Sequence, residues 1–531
     1  MNRKTFGWLF GAIFAAAFLL RLADLGARPL QSQEAEQAMK LGLLMDKGLM
    51  VYDRQNPQGP GLPYLSLFLS RVAGIRNLSA LNETSLRLGP ALFGAGFLLL
   101  LLLMAEGLGR KPVLFAALGA ALSPLLVSAG RFYDPMAMLV FFVTGFLIFF
   151  WRACRRPSPG NALAAGFMAG MAIATQAASW IALAAVVAAF TAGKVVGRGK
   201  NDSDGEPDGK AQPKKRIRYW LIGSGTALLI SFLFYSSFLG RPRGWLESFL
   251  FWRAGLRPGG FGAGLGSSLF GHLKTLALAS YDSGRIWSEA FILILAILGG
   301  LTALRTARSK RGEPSFPAYV LLATVLWILL DSFLPLNSPW SPALFYAGIV
   351  LLAGEGAAWL WERGRDLISR TAVISFLAAG FIHLGVQAVQ ANFIFAVSAQ
   401  NPYALAQTSK DIRRLSLRIR QLSQLLPEGK GMRLEVVTGV CGPGPLAWYL
   451  RGFPGARYHL KAEPTAAFTQ APVIISTCGP AISAEASFGP SRIEDDYELR
   501  PGFALRLSVR QDLWERYQRR RASREARTGK D

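Results

Sequence analysis

Cysteine, histidine and charged residues are scarce in this sequence. Its 531 residues include three cysteines and three histidines. Three cysteines are too few for a disulfide-rich scaffold. The histidines, at positions 272, 383 and 459, have neither the spacing of metal ligands nor a CxxC or HExxH motif beside them. We therefore predict no metal site and no cofactor. Charged residues make up 17% of the chain, whereas about 25% is usual in a soluble domain.

The charged residues that are present are mostly basic, and the net charge is +25. In a soluble protein such an excess would suit binding to nucleic acid. Here the basic residues gather in short connections between long apolar blocks, which is typical of a membrane protein. We therefore predict no nucleic-acid partner. The lipid bilayer is the first partner that the composition indicates.

The apolar blocks predict about eleven transmembrane helices. Most approach the ~20 residues that cross the hydrocarbon core, although the fifth and sixth are short and could form a broken or re-entrant pair. The first block follows Arg3 and Lys4, as a signal peptide would, but no clear small-residue cleavage site follows it, so we predict a retained anchor. The blocks are residues 6–24, 86–106, 113–130, 135–151, 162–175, 178–193, 219–239, 287–304, 317–335, 342–361 and 371–391.

Lysine and arginine are distributed unequally between alternate connections. The basic connections are residues 110–111, 152–156, 194–218, 305–311 and 363–370. The opposite short connections, around Arg131, 175–180 and 336–341, carry one basic residue between them. Because basic loops stay on the cytoplasmic side, we predict a multi-pass protein of the inner (plasma) membrane. Its N-terminus would be cytoplasmic and its C-terminal region extracytoplasmic.

The character of the chain changes after residue 392, which predicts two domains. Residues 1–392 would form a mainly α, polytopic membrane domain, with long outer loops at 25–85 and 240–286 and a basic cytoplasmic loop at 194–218. Residues 393–515 would form a small extracytoplasmic α/β domain, which is within the usual size range, and residues 516–531 a basic tail.

The pattern inside the α/β domain predicts its elements. Residues 409–426 have the apolar spacing of an amphipathic helix. Short runs rich in β-branched residues predict strands at 434–438, 473–476 and 504–509. Cys441 and Cys478 each end a predicted strand. An oxidising outer compartment would permit a disulfide between them if the strands are neighbours, and two free buried thiols are the alternative.

An acidic motif, Gln33, Glu34 and Glu36, follows the first apolar block on the predicted outer side. Its carboxylates could simply begin a helix, whose dipole favours negative charge at that end. Alternatively Glu34 is a general base or orients an acceptor hydroxyl, with Glu36 beside it. Gln33 has no basic site near neutral pH, although its amide can hydrogen-bond a sugar.

A second charged point lies between two predicted helices on the same side. Arg131 and Asp134 either pair with each other at the membrane interface or line the same cavity as Glu34, with Asp134 as the second carboxylate. The sequence does not measure the distance that would decide between these alternatives.

The second outer loop is rich in arginine, against the inside bias. Arg241, Arg243 and Arg253 lie at its start. Guanidinium groups suit phosphate oxygens, so these residues are candidate ligands of a lipid phosphate. Contact with anionic lipid head groups is the plainer alternative.

Several short segments resemble one known family. Residues 33–38, Gln-Glu-Ala-Glu-Gln-Ala, are similar to its Asp-Glu-Ala-Glu-His-Ala motif, and residues 58–60, Gln-Gly-Pro, are similar to its His-Gly-Pro motif. Further similar segments are 52–53, 338–340, 448–451, 471–475 and 497–502. With one anchored helix, an acidic pair, a long outer loop and then many helices, the chain resembles the GT-C superfamily of membrane glycosyltransferases. Within it, the protein-O-mannosyltransferase-like branch and its flippase-activity-associated family, linked to glycosylation clusters, are nearest.

The resemblance implies transfer of a sugar from a polyprenyl-phosphate carrier to an acceptor that the sequence does not identify, on the outer membrane face. If the chain is an active enzyme, the candidate catalytic residues are Gln33, Glu34 and Asp134, with Glu34 as the base and Asp134 as its helper; the candidate substrate-binding residues are Glu36, Gln58, Arg131, Arg241, Arg243 and Arg253. The chain departs from the family where Gln33 replaces the first acidic residue, taken as the base, and where Gln58 replaces a histidine. Both changes remove a titratable group, so impaired catalysis is expected.

Two other functions fit the sequence. One is a non-catalytic accessory that binds lipid-linked sugar in cell-envelope glycosylation or flipping. The other is a transporter, because intramembrane charges mark transport paths and Asp331 and Glu355 lie near helix interiors or ends. Neither half of the chain has an evident internal repeat, which counts against an ordinary secondary transporter.

Overall fold

The computed structural model describes most of the chain. The residues outside the description are 51–57, 199–212, 249–266, 281–285, 308–314, 332–340, 399, 405–406, 440–441, 462–467, 469, 478–490, 501 and 529–531. Predictions that fall on Arg253, on the cysteine pair Cys441 and Cys478, and on the motif segments 52–53 and 338–340 therefore lie outside the described residues.

Fifteen helices of the described residues precede the C-terminal domain, and every predicted apolar block falls on one of them or on a helix pair. They are α1 (Arg3–Leu22), α2 (Ser32–Lys47), α3 (Gly61–Val72), α4 (Glu83–Leu108), α5 (Arg110–Leu122), α6 (Pro124–Arg131), α7 (Met136–Arg155), α8 (Pro159–Thr175), α9 (Ser179–Arg198), α10 (Pro213–Tyr235), α11 (Ser267–Ala277), α12 (Ala290–Arg305), α13 (Phe316–Asp331), α14 (Ala343–Arg363) and α15 (Leu367–Val389). The mainly α architecture predicted from the sequence is confirmed.

Six of these helices are long and apolar enough to cross a membrane: α1, α4, α7, α10 from Ile217, α14, and α15 with its extension to Ile394. The bent pair α5 and α6 would be a seventh, and α9, α12 and α13 contain shorter apolar helices. The protein is thus a multi-pass membrane protein. The eleven predicted segments include four that are shorter than a full span in the described structure.

The predicted single helix 113–130 is broken into α5 and α6, which meet at 59°. Pro124 opens α6, and proline lacks the amide proton that would continue the helix from α5. Ser123 caps α6 by accepting a hydrogen bond from the Leu126 amide at 3.2 Å. The bend brings the first turn of α6 against Glu289, whose carboxylate accepts from Ser123 Oγ at 2.7 Å and from the Leu125 amide at 2.9 Å.

The segment between α1 and α4 contains two helices that end near other helix termini. Gly59, just before α3, donates its amide to the Thr175 carbonyl at 3.0 Å, and Gln58 pairs with Gln176 in an isolated bridge. A Cβ added at Gly59 would collide with the Ala174 carbonyl oxygen. Only glycine therefore permits this close approach between the end of α8 and the start of α3.

We call this part of the helix bundle the site end. It is defined by the first turn of α2, the α6–α7 connection at residues 132–135 and the end of α8 at Thr175.

The C-terminal domain is a five-stranded sheet with helices packed against it. The sheet order is β4–β3–β5–β7–β6, with β4, β3 and β5 parallel and β7 antiparallel to both β5 and β6. The strands are β3 (Leu434–Val437), β4 (Ala456–His459), β5 (Val473–Thr477), β6 (Arg492–Arg500) and β7 (Phe503–Arg510); a two-residue pair, β1 (Ala279–Ser280) and β2 (Ile286–Trp287), lies in the membrane domain. The helices are α16 (Asp411–Ser423), α17 (Gly444–Tyr449) and α18 (Gln511–Thr528).

The core of this domain forms as the sequence periodicity predicts. Ile412, Leu415, Ile419 and Leu422 are three or four positions apart and share one face of α16, and all four are at most 1% exposed. They pack with alternate residues of β3, β5 and β7 in one hydrophobic cluster. The small α/β domain predicted from the sequence is confirmed.

The C-terminal domain contacts the membrane domain at the site end. Tyr449 donates its hydroxyl to Glu83 at 2.8 Å and accepts the Leu30 amide at 3.0 Å. Arg413 donates to Glu83 at 3.1 Å, and Thr408 donates to the Leu30 carbonyl at 2.8 Å. These contacts hold the segment before α2 between the two domains.

Candidate active site

Glu34 lies in the first turn of α2 and is buried, with 1% of its surface exposed. Both of its oxygens accept a guanidinium N–H from Arg87 at 2.7 Å. One oxygen also accepts the Tyr133 amide at 2.7 Å, and the other accepts the Gln31 amide at 3.2 Å. A carboxylate has about four acceptor sites, so these four donors use all of them.

Arg87 is as fully engaged as its partner. It is 0% exposed on α4 and donates to the carbonyls of Leu25 and Arg28 at 2.8 Å and of Pro29 at 3.1 Å, in addition to Glu34. The segment after α1 therefore wraps around a single guanidinium group. This fork geometry matches a carboxylate in two parallel hydrogen bonds.

Burial alone would raise the pKa of Glu34, but the charge and hydrogen bonds of Arg87, with Arg28 and the Tyr133 amide, lower it below its ordinary value. A carboxylate held ionised and without an unused acceptor site is poorly suited to take a proton. The geometry favours an anchoring role for Glu34 over the general base predicted from the sequence.

The other two members of the motif point away from this ion pair. Gln33 and Glu36 are exposed on α2, and Glu36 forms a salt bridge with Lys40 at 2.9 Å. Their exposure at the site end leaves both available to a ligand, and Gln33 offers an amide donor and acceptor there.

A cluster of three glutamines lies on the neighbouring face of α2. Gln37 is 4% exposed and donates its side-chain amide to the side-chain oxygen of Gln58, whose backbone pairs with that of Gln176 at the end of α8. We call these residues the amide cluster. Gln37 occupies the histidine of the resembled Asp-Glu-Ala-Glu-His-Ala motif, so both histidine positions of that pattern are glutamines here, and they contact each other.

Asp134 lies in the α6–α7 connection, next to the residue whose amide binds Glu34. It is 5% exposed, and one of its oxygens accepts the Met136 amide at 2.9 Å at the start of α7. Burial, with the charge of Glu34 in support and the Met136 amide opposing, raises the pKa of Asp134 to about 7. The structure therefore brings Asp134 and Glu34 to one site. This is the second of the two alternatives that the sequence left open for Asp134.

Arg131 is part of the site but is not paired with Asp134 by any ion pair of the described residues. Its guanidinium donates to the carbonyls of Leu20 at 2.9 Å and Ala23 at 2.6 Å at the end of α1. The ring of Phe393 lies 4.2 Å from it. Carbonyls at a helix C-terminus attract cations, so Arg131 closes that end of α1.

Arg28 adds a third cation to the same buried site. It is 7% exposed, lies over the Phe132 ring at 3.5 Å and donates to the Arg131 carbonyl at 2.5 Å. Burial and the charges of Arg87 and Arg131 lower its pKa well below the ordinary value, against the opposing charge of Glu34. Because arginine stays protonated in proteins, the positive charges of Arg28, Arg87 and Arg131 repel one another. A bound anion would reduce this repulsion.

Arg241 and Arg243 make no hydrogen bond or ion pair with Glu34, Arg28 or Arg87 among the described residues, and their part in binding stays a prediction. Their segment follows α10 and contacts the far end of α2, where Ser237 Oγ donates to the Met50 carbonyl at 3.0 Å. The sixteen residues between Glu34 and Met50 are mostly helical, which separates them by roughly 20 Å. Arg241 is partly exposed beside Glu247 at 3.7 Å, and Arg243 is exposed.

A narrow cavity opens beside the amide cluster. We call it the Gln176 cavity; its polar lining residues are Gln176, Ser179, Asp331 and Ser341, and its apolar lining residues are Met136, Leu139, Ala178, Ala182, Trp327, Leu330, Leu344 and Phe345. Apolar walls with a few convergent polar groups are typical of ligand sites. Ser179 Oγ is buried and has no hydrogen-bond partner among the described residues.

A histidine lies behind two of these lining residues, Asp331 and Ser341, and does not itself line the cavity. His272 Nδ1 lies 2.8 Å from the Asp331 carboxylate, and its Nε2 lies 3.4 Å from Ser341 Oγ. His272 comes from α11, Asp331 ends α13 and Ser341 precedes α14. Three separate segments thus meet beside the cavity.

Sequence reasoning missed the residues that carry most of this site, although some signals were present. Arg87 interrupts an apolar run, and an arginine within such a run is a functional candidate by default. Gln37 lies in the quoted motif, three and four positions after Glu34 and Gln33. For Arg28 and His272 the sequence holds no comparable signal, because their partners lie far away along the chain.

Metal ligation has no support in the described residues. No three histidine, cysteine, aspartate or glutamate side chains group there as a metal ion would need. The absence of a metal stays a prediction.

One family model and several solved structures are similar to this chain. Residues 60–202 match the family model for dolichyl-phosphate-mannose-protein mannosyltransferase. No curated protein is significantly similar to the chain in sequence.

The fold is similar to those of solved glycosyltransferases. The crystal structure of ArnT from Cupriavidus metallidurans in the apo state has a TM-score of 0.65 at 14% identity, covering 96% of this chain and 99% of that one. The same protein bound to undecaprenyl phosphate gives 0.63 at 14%, covering 95% and 98%. The archaeal oligosaccharyltransferase AglB from Archaeoglobus fulgidus, in complex with an inhibitory peptide and a dolichol-phosphate, gives 0.53 at 14%, covering 89% and 69%. The chain therefore has an ArnT-like GT-C fold.

Proposed function

We propose that this protein transfers a sugar from a polyprenyl-phosphate donor to an acceptor at the extracytoplasmic face of the membrane. The observation that carries the proposal is the buried cationic cluster of Arg28, Arg87 and Arg131 around Glu34. These three buried arginines lie with two buried carboxylates, Glu34 and Asp134, so the buried groups carry an excess of positive charge; Asp24, which also acts on Arg131, is exposed. A phosphate head group is the anion that such guanidinium groups suit best.

Arg28 is our candidate for the phosphate ligand. Arg87 is occupied by Glu34 and three carbonyls, and Arg131 is occupied by the end of α1. Arg28 makes one hydrogen bond and one ring contact among the described residues, so it has the most capacity left. Asp134 lies near Glu34 in the same site and, with a pKa of about 7, can donate a proton to a phosphate oxygen or withhold it near neutral pH. The solved structure of ArnT with undecaprenyl phosphate supports a lipid phosphate as ligand of this fold.

The sugar would lie toward the amide cluster and the exposed groups of α2. Amides donate and accept hydrogen bonds, as sugar hydroxyls require, and Gln33, Glu36 and Gln58 lie along this path. Gln33 supports the expectation of slow chemistry, because an amide cannot replace a carboxylate as base. General base catalysis is worth about 10²–10⁴-fold, so a chain without a substitute base would be slow by that factor.

The extracytoplasmic placement rests on the lysine and arginine bias. Cysteine labelling tests it with two exposed positions at opposite ends of the bundle, Glu36→Cys and Arg156→Cys, in a chain whose three native cysteines are replaced by serine. Under the proposal, a membrane-impermeant maleimide labels Glu36→Cys in intact cells and Arg156→Cys only after permeabilisation. The reverse pattern would overturn the placement.

Transfer itself is tested in proteoliposomes with the full-length protein. A panel of radiolabelled polyprenyl-phosphate sugars is offered to wild type, Gln33→Asp and the matched control Gln33→Asn. Transfer by wild type supports an active enzyme, and a gain of 10-fold or more in Gln33→Asp alone supports a catalytically impaired one.

Donor binding is measured in the same proteoliposomes by photo-crosslinking. Arg28→Gln should lose most of the crosslinking, whereas Arg243→Gln, an exposed arginine outside the site, should retain it. No crosslinking by wild type, or equal crosslinking by both variants, would contradict the proposed phosphate site at Arg28.

A second function is favoured by the state of the motif. Glu34 is saturated and Gln33, Gln37 and Gln58 are all neutral amides, which suits a non-catalytic accessory that binds a lipid-linked sugar. Donor crosslinking that depends on Arg28, without transfer by wild type or by any variant that restores a titratable group, would establish this function instead.

A further inference from the structure

We propose that His272, positioned by Asp331, is the general base that accepts the proton of the acceptor hydroxyl. This inference rests on the proposed glycosyl transfer and deepens it. It assigns a proton acceptor to a site where Gln33 has no basic group and Glu34 has no free acceptor site.

The first support is the geometry of the histidine. Asp331 lies 2.8 Å from Nδ1, and a carboxylate accepts rather than donates. The proton of a neutral His272 is therefore held on Nδ1, and Nε2 keeps its lone pair. The carboxylate also stabilises the imidazolium that forms when Nε2 takes a proton, which is the role of the third group in a nucleophile–histidine–carboxylate arrangement.

The second support is the direction in which Nε2 faces. Its described neighbour is Ser341 Oγ at 3.4 Å, a distance at the weak end for a hydrogen bond to an O–H donor. Ser341 and Asp331 both line the Gln176 cavity. His272 itself lies behind Ser341, so an acceptor hydroxyl in the cavity would reach Nε2 by taking the place of Ser341 Oγ.

The third support is an unused polar group in the same cavity. Ser179 is 3% exposed, and its hydroxyl has no partner among the described residues. A buried hydroxyl without a partner costs free energy, and a ligand hydroxyl in the cavity would supply one. The lining of the Gln176 cavity therefore suits a ligand that has a polar group, although most of its walls are apolar.

The cavity also joins the two halves of the proposed reaction. Met136, which lines it, donates its amide to Asp134, and Gln176 connects it to the amide cluster. Asp134 and Arg28 would face the donor phosphate at one end, and His272 would face the acceptor at the other. The cavity has a volume of about 40 Å³, so it would hold the acceptor hydroxyl alone, and the anomeric carbon would lie outside it on the side of Asp134.

The step balances without any further reactant. The acceptor hydroxyl oxygen forms a bond to the anomeric carbon as the bond from that carbon to the phosphate oxygen breaks. The electron pair of the broken bond leaves with the polyprenyl phosphate. The hydroxyl proton moves to His272 Nε2 and is later released to water.

The test uses the full-length protein in proteoliposomes, with the donor and an alcohol acceptor that wild type uses. His272→Gln should lower kcat by about 10²–10⁴-fold while crosslinking to polyprenyl phosphate stays as in wild type. His383→Gln, at an exposed histidine of α15, is the matched control and should stay within twofold. Asp331→Asn should lower kcat less than His272→Gln does, without raising the KM for the donor.

Rescue separates chemistry from folding. His272→Ala opens space for a free imidazole, which should restore part of kcat in His272→Ala and none in Asp331→Asn. A merely structural histidine would not respond in this way. Ser341→Ala should stay within a few-fold of wild type, because the serine only marks the position of the acceptor.

The outcomes distinguish the two proposals. If wild type transfers sugar but His272→Gln matches His383→Gln, or if imidazole restores nothing, the general base lies elsewhere and this inference is wrong. If Ser341→Ala is as damaging as His272→Gln, the serine reacts and the inference is equally wrong. If wild type transfers no sugar from any donor, the proposed function fails, and this inference fails with it.

Discussion

Two buried carboxylates at the site end are surrounded in opposite ways. Glu34 accepts four hydrogen bonds, two of them from Arg87. Asp331 has one described partner, His272, and faces a cavity. Both are nearly inaccessible, at 1% and 7% exposure. Burial alone therefore does not separate a structural acid from a chemical one, whereas the number of acceptor sites already in use does.

Glu289 extends the comparison. It is 0% exposed and also has four donors, but all are neutral: Ser123 and Tyr403 hydroxyls at 2.7 and 2.8 Å, the Leu125 amide and the Tyr346 hydroxyl. Four neutral donors thus surround this carboxylate where Glu34 has a cation and two amides. Saturation, rather than pairing with a cation, is what the two structural acids share.

The largest expected effect comes from breaking the Glu34 ion pair. Arg87→Ala should lower the free energy of unfolding by about 3–5 kcal/mol, because it leaves a buried charge without its partner. Thermal unfolding in detergent measures this. The double variant Glu34→Gln with Arg87→Ala should lose less than the sum of the single variants, and additivity would mean that the two groups do not act as a pair.

Asp134 accepts one hydrogen bond among the described residues. The prediction for this residue concerns the pH dependence of stability. Its folded pKa of about 7 exceeds the ordinary unfolded value of about 3.9. The folded state therefore holds the extra proton between about pH 4 and 7, and stability falls as the pH rises through that window.

Asp134→Asn removes the ionisation and can still accept the Met136 amide. At pH 8 it should be more stable than wild type by roughly 2–4 kcal/mol, and this advantage should largely vanish at pH 4. Unfolding curves at both values decide the matter. A constant difference would show that ionisation of Asp134 is not the cause.

Removing the charge of Glu289 tests saturation without a cation. In Glu289→Gln an NH₂ group meets hydroxyl donors, so at least one hydrogen bond to a charged acceptor is lost, at a cost of about 1.5–3 kcal/mol. Glu36→Gln, at an exposed site, is the control and should change stability very little. An equal effect of both variants in thermal unfolding would mean that the hydrogen bonds of Glu289 do not stabilise the fold.

The smallest expected effect on stability belongs to Asp331. Asp331→Asn can still accept from His272 Nδ1, so unfolding should change by about 1 kcal/mol or less, although transfer should fall. A loss as large as that of Arg87→Ala would mean that Asp331 is a structural acid after all, and the distinction drawn from acceptor sites would collapse.

Much of the fold was predictable because its helices and strands follow from local sequence patterns. All eleven predicted apolar blocks fall on helices, six or seven of which are long enough to span a membrane, and short strand-like runs located β3, β5 and β7. The bend at Ser123 was missed, since apolar runs continue through it, although Pro124 marks the position where a helix can begin again.

The site was predictable only where a motif held it together. Gln33, Glu34 and Glu36 lie on one helix turn, and Asp134 does come to the same place. The pairs that define the chemistry join residues 53 and 59 positions apart, Glu34 with Arg87 and His272 with Asp331. Periodicity carries no information about which distant side chains meet. The sequence analysis therefore placed the phosphate ligands in the arginine-rich outer loop.

The four donors of Glu289 also set an order for biosynthesis. They come from positions 123, 125, 346 and 403, and the last follows the final membrane helix. As the ribosome extends the chain, this acid enters the bilayer region with two donors already made and waits for two others. The hydrogen bonds of this buried acid are therefore complete only after Tyr403 has been synthesised.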